Sequence, residues 1–268
     1  MKSIKELMDL SHRVAVTTGG GGHIGSVMGE ALAEAKANIV LVDNNEGACQ
    51  DKAQNIQKLY GVKVLPLIVD LADQEAVQEI PARILKEFQS IDILIHSAAF
   101  TGRSQLTGWA VPFEEQTAET WRKTMEVNLT ATFILTQSCS EALMASGHGS
   151  VINISSIYGM VGPDMSLYEG SPIEGHPAAY DAAKGALIQL TRYLATTLAP
   201  KVRVNSISVG GIFRGHKDPF LSKYEQKTPL KRMASEEDVK GAALYLASDL
   251  SRYVTGHNLV IDGGWTAW

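Results

Sequence analysis

Apolar positions along the chain fall into two recurring arrangements. Short, β-branched runs with few interruptions lie at RVAVTT (13–18), NIVLVD (38–43), VKVLPLIV (62–69), IDILIHS (91–97), SVINIS (150–155), VRVNSIS (202–208) and NLVID (258–262). Most do not alternate apolar with polar residues, so they predict strands covered on both faces. Longer stretches with helical spacing lie between them, near 24–36, 45–60, 73–89, 117–145, 178–199 and 235–248. Strand and helix in alternation predict an α/β fold, a parallel sheet joined by right-handed crossovers with helices on both faces. Two segments fit neither arrangement: 157–177, with three prolines and four glycines, and 209–231. Long irregular loops in a compact domain often serve as lids or binding loops.

Residue totals narrow the partner. A chain of 268 residues suits one α/β domain, expected to span 1–268, and no linker or repeat divides it. The net charge of −5 and the lack of any Lys/Arg run argue against a nucleic-acid partner. Cys49 and Cys139 are far apart, without metal or disulfide spacing, which suits a reducing compartment. The opening MKSIKELMDLSHR carries acids and no apolar core of a signal peptide, and no run reaches membrane-spanning length. A cytoplasmic protein with a small-molecule partner is expected.

The first candidate chemistry follows the first strand, in TGGGGHIG (18–25). Glycines between a strand and a helix let the backbone turn tightly and approach a diphosphate, which the helix N-terminus favours. A plain tight turn rarely needs five glycines. The second strand ends in Asp43, where a carboxylate accepts hydrogen bonds from ribose hydroxyls and repels a 2′-phosphate. With Asn44 and Asn45 next and no Arg or Lys in the loop, NAD is expected over NADP. A second candidate is YDAAK, in which Tyr180 and Lys184 lie one turn apart on one helix face. A free phenol, with a pKa of about 10, is a poor base at neutral pH. A nearby ammonium lowers that value.

Several features then occur in the order typical of the short-chain dehydrogenase/reductase family, which the sequence resembles over nearly its whole length. They are the glycine loop, Asp70-Leu71, Asn128 in VNLTATF, Ser155-Ser156, Tyr180-x-x-x-Lys184, VRVNSIS with Gly210-Gly211, and Asp262-Gly263-Gly264. The resemblance implies a single-domain, Rossmann-type doubly wound parallel sheet of about seven strands in the order 3-2-1-4-5-6-7. It implies Tyr180 as general base in alcohol oxidation and general acid in carbonyl reduction, its phenolate favoured by Lys184 and by the oxidised nicotinamide. Lys184 also bonds the nicotinamide ribose, and Ser156, the second of its pair, orients the substrate oxygen. Asn128 holds a water in a proton relay. Gly19, Gly22, His23, Ile24, Gly25, Asp43, Asp70, Leu71, Ala98, Gly211 and Ile212, with Tyr180 and Lys184, form the cofactor site. No metal is implied.

Three segments depart from the family pattern. His23 stands where the classical glycine loop has glycine, so the loop reads TGxxGxxG, the spacing of an extended branch. Only 88 residues follow Tyr180, too few for that branch's added domain. HSAA (96–99) replaces NNAG, and SVGG (208–211) replaces SPGG. The spacing from Ser156 to Tyr180 is also about twice the family's, so the excess within 157–177 loops out beside the cleft. Met160, Met165, Tyr168 and Glu169 then shape the substrate site, or the segment is a surface excursion; both readings stand at this point.

The loop after the sixth strand carries Arg214, His216 and Lys217, suited to an anionic or polyhydroxylated substrate. With Arg103, Trp109, Tyr168 and Glu169 from the other loops, the lining suits sugars. The chain resembles sugar and sugar-acid members, gluconate 5-dehydrogenase-like enzymes among them, and oxidoreductases linked to flagellin glycosylation. The expected function is NAD(H)-dependent hydride transfer at a secondary alcohol or ketone of a small polar, sugar-derived substrate. The alternatives are a 3-oxoacyl thioester reductase, which Asp43 disfavours, and a non-catalytic dinucleotide-binding protein. His12, His148, His176, His216 and His257 show no metal spacing and are expected in loops or on the surface. Helix 178–199 has two apolar stripes, Ala182, Ala186, Leu190 and Tyr193, and Leu187, Leu194 and Leu198. One of them needs a partner. With Trp265 and Trp268 expected at a subunit interface, a homotetramer is expected, with a dimer as the fallback.

Overall fold

The computed structural model describes residues 1–101, 106–170 and 175–268. Seven strands form one parallel sheet: β1 Val14–Thr18, β2 Asn38–Asp43, β3 Val64–Ile68, β4 Ile93–His96, β5 Gly149–Ser156, β6 Val202–Val209 and β7 Asn258–Ile261. Their order is β3-β2-β1-β4-β5-β6-β7, as the resemblance implied. The chain reverses direction across the sheet between β1 and β4. There the C-terminal ends of neighbouring strands part, and ligands of open α/β sheets bind in that crevice.

The helices are α1 Ile4–Met8, α2 His23–Glu34, α3 Glu46–Tyr60, α4 Gln74–Glu87, α5 Ala118–Met125, α6 Ala131–Ala145, α7 Ala178–Thr197, α8 Phe220–Lys227 and α9 Lys240–Ala247. Alternate residues of each strand point to opposite faces. Ile39, Leu41, Ile93 and Ile95 pack with Met28 and Leu32 of α2, Ala53 and Ile56 of α3, and Leu246 of α9. Val14, Val16, Val40 and Val42 face the other way, against Val77, Ile80 and Ile84 of α4, Leu135 and Leu143 of α6, and Leu194 of α7. Both faces are covered, which explains why the strands read as uninterrupted apolar runs.

The structure alters four expectations. The helix expected over 117–145 is broken by a π turn at Glu126–Thr130, which separates α5 from α6. The 209–231 segment is not wholly irregular, because α8 lies inside it. Tyr224 is the one fully buried residue of α8, so no apolar period announced it. The tail folds back on its own domain: the Trp265 ring stacks on Tyr224 of the same chain, with centroids 4.5 Å apart. Trp268 donates from Nε1 to the Lys227 carbonyl at 3.1 Å and stays largely exposed. The short α1, which the apolar pattern did not predict, is set by a capping box between Ser3 and Glu6.

Candidate active site

A cavity of about 770 Å³ runs along the C-terminal ends of the central strands. Its first wall is the glycine loop. Gly19 has φ +67°, and a Cβ there would press on the Ala98 backbone at 3.0 Å. A Cβ on Gly25 would overlap the Gly19 carbonyl oxygen, so the loop closes onto α2 only with glycine at that position. Gly22 caps α2 without any side-chain hydrogen bond. The first-turn N–H groups therefore face the cavity mouth without a capping side chain, an arrangement that fits a diphosphate. At the end of β2, Asp43 accepts from Gly21 N at 2.9 Å and from Asn45 N at 2.9 Å. These bonds aim its carboxylate along the same wall. The loop geometry, the uncapped helix and the oriented carboxylate together fit a dinucleotide.

The reactive wall comes from β5 and α7. Ser155 and Ser156 end β5, and their roles separate clearly. Ser155 turns back to donate to the Lys184 carbonyl at 2.7 Å. Ser156 accepts from Tyr158 N at 3.2 Å and is hydrogen-bonded to the Tyr180 phenol. Lys184, one turn after Tyr180, is almost fully buried and donates from Nζ to the Ile154 carbonyl at 2.7 Å. Its Nζ lies 5.5 Å from the centre of the Tyr180 ring. Burial pulls the Lys184 pKa down to about 8. The Tyr180 pKa is raised, with burial outweighing the Ser156 hydrogen bond and the Asp181 charge adding to the rise. The expected lowering by Lys184 is thus not the net result in the chain by itself. Loss of water around the phenol costs its anion more than the Ser156 contact returns.

Asn128 sits in the π turn between α5 and α6 and does not line the cavity. Its Oδ1 accepts from Phe100 N at 2.8 Å, tying the segment after β4 to the helix. Its Nδ2 is buried with no partner among the described residues. The HSAA departure proves local. His96 is fully buried, its Nε2 lies 2.8 Å from Thr136 Oγ1, and burial pushes its pKa down to about 3. The Thr136 hydroxyl already donates to the Thr132 carbonyl, so neutral His96 donates from Nε2. In SVGG, Val209 extends β6, and Gly210 N bonds the Ile261 carbonyl. A Cβ on Gly211 would meet Tyr224 and Met233.

The segment after β5 folds back over the reactive wall and becomes part of the cavity. The Tyr158 ring packs on His176, with centroids 4.4 Å apart, and the Tyr168 hydroxyl lies 2.8 Å from His176 Nδ1. His176 Nε2 lies 2.6 Å from Asp181 Oδ1. A carboxylate accepts only, so His176 donates from Nε2 to Asp181 and, when neutral, accepts from Tyr168 at Nδ1. Tyr158, Tyr168 and His176 all line the cavity. The His176 ring meets the Tyr180 ring edge-on, with centroids 6.1 Å apart. His176 lies in a loop, as expected, but its side chain faces the cavity and not the surface, and His216, also in a loop, lines the cavity too, its ring stacked on Phe220. Chain order hid these contacts, because His176 lacks metal spacing and Tyr158 belongs to no motif.

Gly19, Gly22, His23, Ile24, Gly25, Asp43, Asp70, Leu71, Ala98, Ser156, Tyr180, Lys184, Gly211 and Ile212 all face this cavity. Of the expected substrate residues, Tyr168 and Arg214 line it, as does Trp109. Glu169 does not; its side chain is exposed and pairs with Lys223 at 3.9 Å. Met160 and Met165 are likewise turned to the surface. Arg103 lies outside the described residues.

Known proteins share this chain's sequence pattern and fold. The family described as enoyl-(acyl carrier protein) reductase matches residues 21–266. A cis-4-hydroxycyclohexanecarboxylate dehydrogenase of Sinomonas cyclohexanicum is 31% identical over 96% of this chain and 98% of its own. An NAD-dependent glycerol dehydrogenase of Listeria innocua is 31% identical over 99% of this chain and 98% of its own. Among solved structures, a short-chain type dehydrogenase/reductase from Mycobacterium marinum superposes with a TM-score of 0.86 at 30% identity, covering 100% of both chains. A gluconate 5-dehydrogenase from Burkholderia cenocepacia, in complex with NADP and tartrate, superposes with a TM-score of 0.87 at 27% identity, covering 99% and 100%.

Proposed function

The chain belongs to the short-chain dehydrogenase/reductase family, and we propose that it is an NAD(H)-dependent oxidoreductase, one domain throughout, that interconverts a secondary alcohol and a ketone on a small polar, sugar-derived substrate. One observation carries this reading. Ser156, Tyr180 and Lys184 stand in the same cavity as an uncapped helix N-terminus and an oriented Asp43. The relatives act on polyols, cyclic hydroxy acids and sugar acids by their names, which supports a polar alcohol. A nicotinamide dinucleotide follows from the family; the preference for NAD rests on Asp43 and on the lack of a cationic residue at Asn44 and Asn45.

In this reading Gly19, Gly22 and Gly25 cradle the diphosphate, and Asp43 accepts from the adenosine ribose. When bound, the nicotinamide supplies the site that accepts or returns the hydride. Ser156 donates to the substrate oxygen and orients it. Tyr180 takes the hydroxyl proton in oxidation and returns it in reduction. Lys184 holds positive charge beside the phenol and passes protons toward Asn128, whose buried, unpaired Nδ2 supports a place in that relay. Tyr168 and Arg214 contact the cavity contents. A second reading, reduction of a 3-oxoacyl thioester, is favoured by relatives named 3-oxoacyl-(acyl-carrier-protein) reductase, 29% and 30% identical to this chain; Asp43 stands against the NADPH such reductases normally use.

The exposed stripe of α7, with Tyr193 more than half exposed, supports a homotetramer in solution. The test of the chemistry is a turnover screen of NAD and NADP against polyols, sugar acids and acyl thioesters, with NADH and NADPH titrated in parallel. Oxidation of a polyol or sugar acid with NAD, and tighter NADH than NADPH binding, is the expected result. Asp43→Ala should narrow the gap between the two cofactors. Tighter NADPH binding by the unaltered protein contradicts the NAD preference.

A further inference from the structure

A guanidinium and an imidazole from distant parts of the chain meet on one carboxylate at the rim of the glycine loop. Arg214, from the loop after β6, pairs through Nη1 with Glu236 Oε1. His23 Nδ1 lies 3.5 Å from that same oxygen. His23 is the first residue of α2, so Glu236 stands beside the N–H groups that fit a diphosphate. Arg214 and His23 both line the cavity, and the Arg214 side chain is mostly buried. Arg214 is therefore at the diphosphate end, held there by an acid that shares its partner with the head of α2. A carboxylate beside a phosphate group repels it, and a guanidinium attracts it with charge-assisted hydrogen bonds.

We propose that Arg214 binds the dinucleotide diphosphate rather than the substrate, and that Glu236 competes with the diphosphate for it. On arrival of the ligand, the Arg214 guanidinium exchanges the Glu236 carboxylate for phosphate oxygens, with His23 at the helix head closing the other side. Glu236 then acts as an internal anion that keeps Arg214 placed and restrains cofactor affinity. The backbone supports this exchange. Arg214 N bonds His216 Nδ1 at 3.2 Å and Phe213 N bonds the Ala234 carbonyl at 2.8 Å, so the loop stays anchored while the side chain moves. The proposal rests on the dinucleotide reading above.

The two residues of the ion pair give opposite signs, which a purely structural pair would not. NADH and ADP-ribose, which shares the diphosphate but lacks nicotinamide, are titrated against the full chain by calorimetry, with melting temperatures recorded for each variant. Arg214→Met should weaken both ligands about tenfold, the scale of a lost charge-assisted contact. Glu236→Gln should tighten both by about threefold, the scale of one partly exposed charge. The dependence of affinity on salt should become shallower in Arg214→Met. If Glu236→Gln weakens binding, or Arg214→Met leaves it unchanged, the proposal is overturned. If Arg214→Met fails to fold, the sign of Glu236→Gln decides alone. Failure of the unaltered protein to bind either ligand overturns the dinucleotide reading and this proposal with it. Normal binding with an unmoved Arg214→Met overturns this proposal only.

Discussion

Tyr180 shows how far a residue's surroundings govern its chemistry. Its phenol is hydrogen-bonded to Ser156 and lies near a buried ammonium, yet burial still raises its pKa. The cofactor-free protein therefore holds a neutral phenol at pH 7, ready to donate in carbonyl reduction. Alcohol oxidation needs the anion, so kcat/KM for oxidation should rise with pH above neutrality, while that for reduction should hold level there and fall only above the ordinary phenol value of about 10. Pre-steady-state or steady-state pH profiles check this. Tyr180→Phe should flatten both profiles, retain NADH binding and lose about 10²–10⁴-fold in turnover. Lys184 carries a separate linkage. Its pKa falls from the ordinary 10.5 to about 8, so the folded chain binds fewer protons than the unfolded one between those values. This group's contribution to stability therefore rises with pH across about 8 to 10.5. In Lys184→Met that rise should be absent from melting curves of the cofactor-free protein.

At the scale of elements, the junction of β1, its glycine loop and α2 has little room for change. Gly25→Ala would drive a Cβ into the Gly19 carbonyl, and only a backbone shift relieves it. Overpacking of this kind costs about 1–3 kcal/mol. The shift also moves the N–H groups that face the diphosphate. NADH affinity should fall together with the melting temperature; a Gly25→Ala protein with unaltered affinity would refute the assignment of this loop. The segment after β5 is pinned to α7 by the bonds from Tyr168 through His176 to Asp181. Among its described residues, Tyr158, Tyr168, Gly175 and His176 wall the cavity, while Met160, Met165 and Glu169 stay at the surface. His176→Phe keeps a ring of similar width and removes both hydrogen bonds. We expect KM for the alcohol to rise about tenfold while NADH affinity stays within a factor of about two, because the wall lies at the substrate end. An equal loss in NADH affinity would place the segment elsewhere.

For the whole molecule, one side of the sheet carries a surface that a lone chain leaves wet. Trp121 of α5, Phe133 of α6 and Tyr193 of α7 are large apolar residues exposed on helices of that side. On α7, Leu187 and Leu194 are buried while Ala182 and Tyr193 are exposed, so one of its two stripes meets the sheet and the other, apart from the half-buried Ala186 and Leu190, faces out. Light scattering at micromolar concentration should report a mass near four chains, and Tyr193→Glu should lower it by placing a charge in the buried contact. A monodisperse single chain at that concentration would end the tetramer proposal. Loss of the last four residues should have less effect on assembly than this change, since Trp265 is held by Tyr224 of its own chain. No described helix is long and apolar enough to cross a membrane.

The parts of this protein that were legible in its sequence are those encoded by neighbours along the chain. Seven short β-branched runs, most of them without alternation, announced strands buried on both faces, and all seven joined one sheet. The glycines between β1 and α2, the acid closing β2, and the four-residue step from Tyr180 to Lys184 are likewise local patterns with one physical use each. The choice of Ser156 over Ser155 came from resemblance, and only tertiary structure showed that Ser155 is taken up by the Lys184 carbonyl. Tertiary structure also decided that Tyr158 and His176 face the cavity, that Glu169 does not, and that Trp265 returns to Tyr224. It brought His23, Arg214 and Glu236 onto one oxygen from opposite ends of the chain. Such contacts join residues whose separation follows no period, so burial and charge pairing across the fold select them, and no spacing records them in advance.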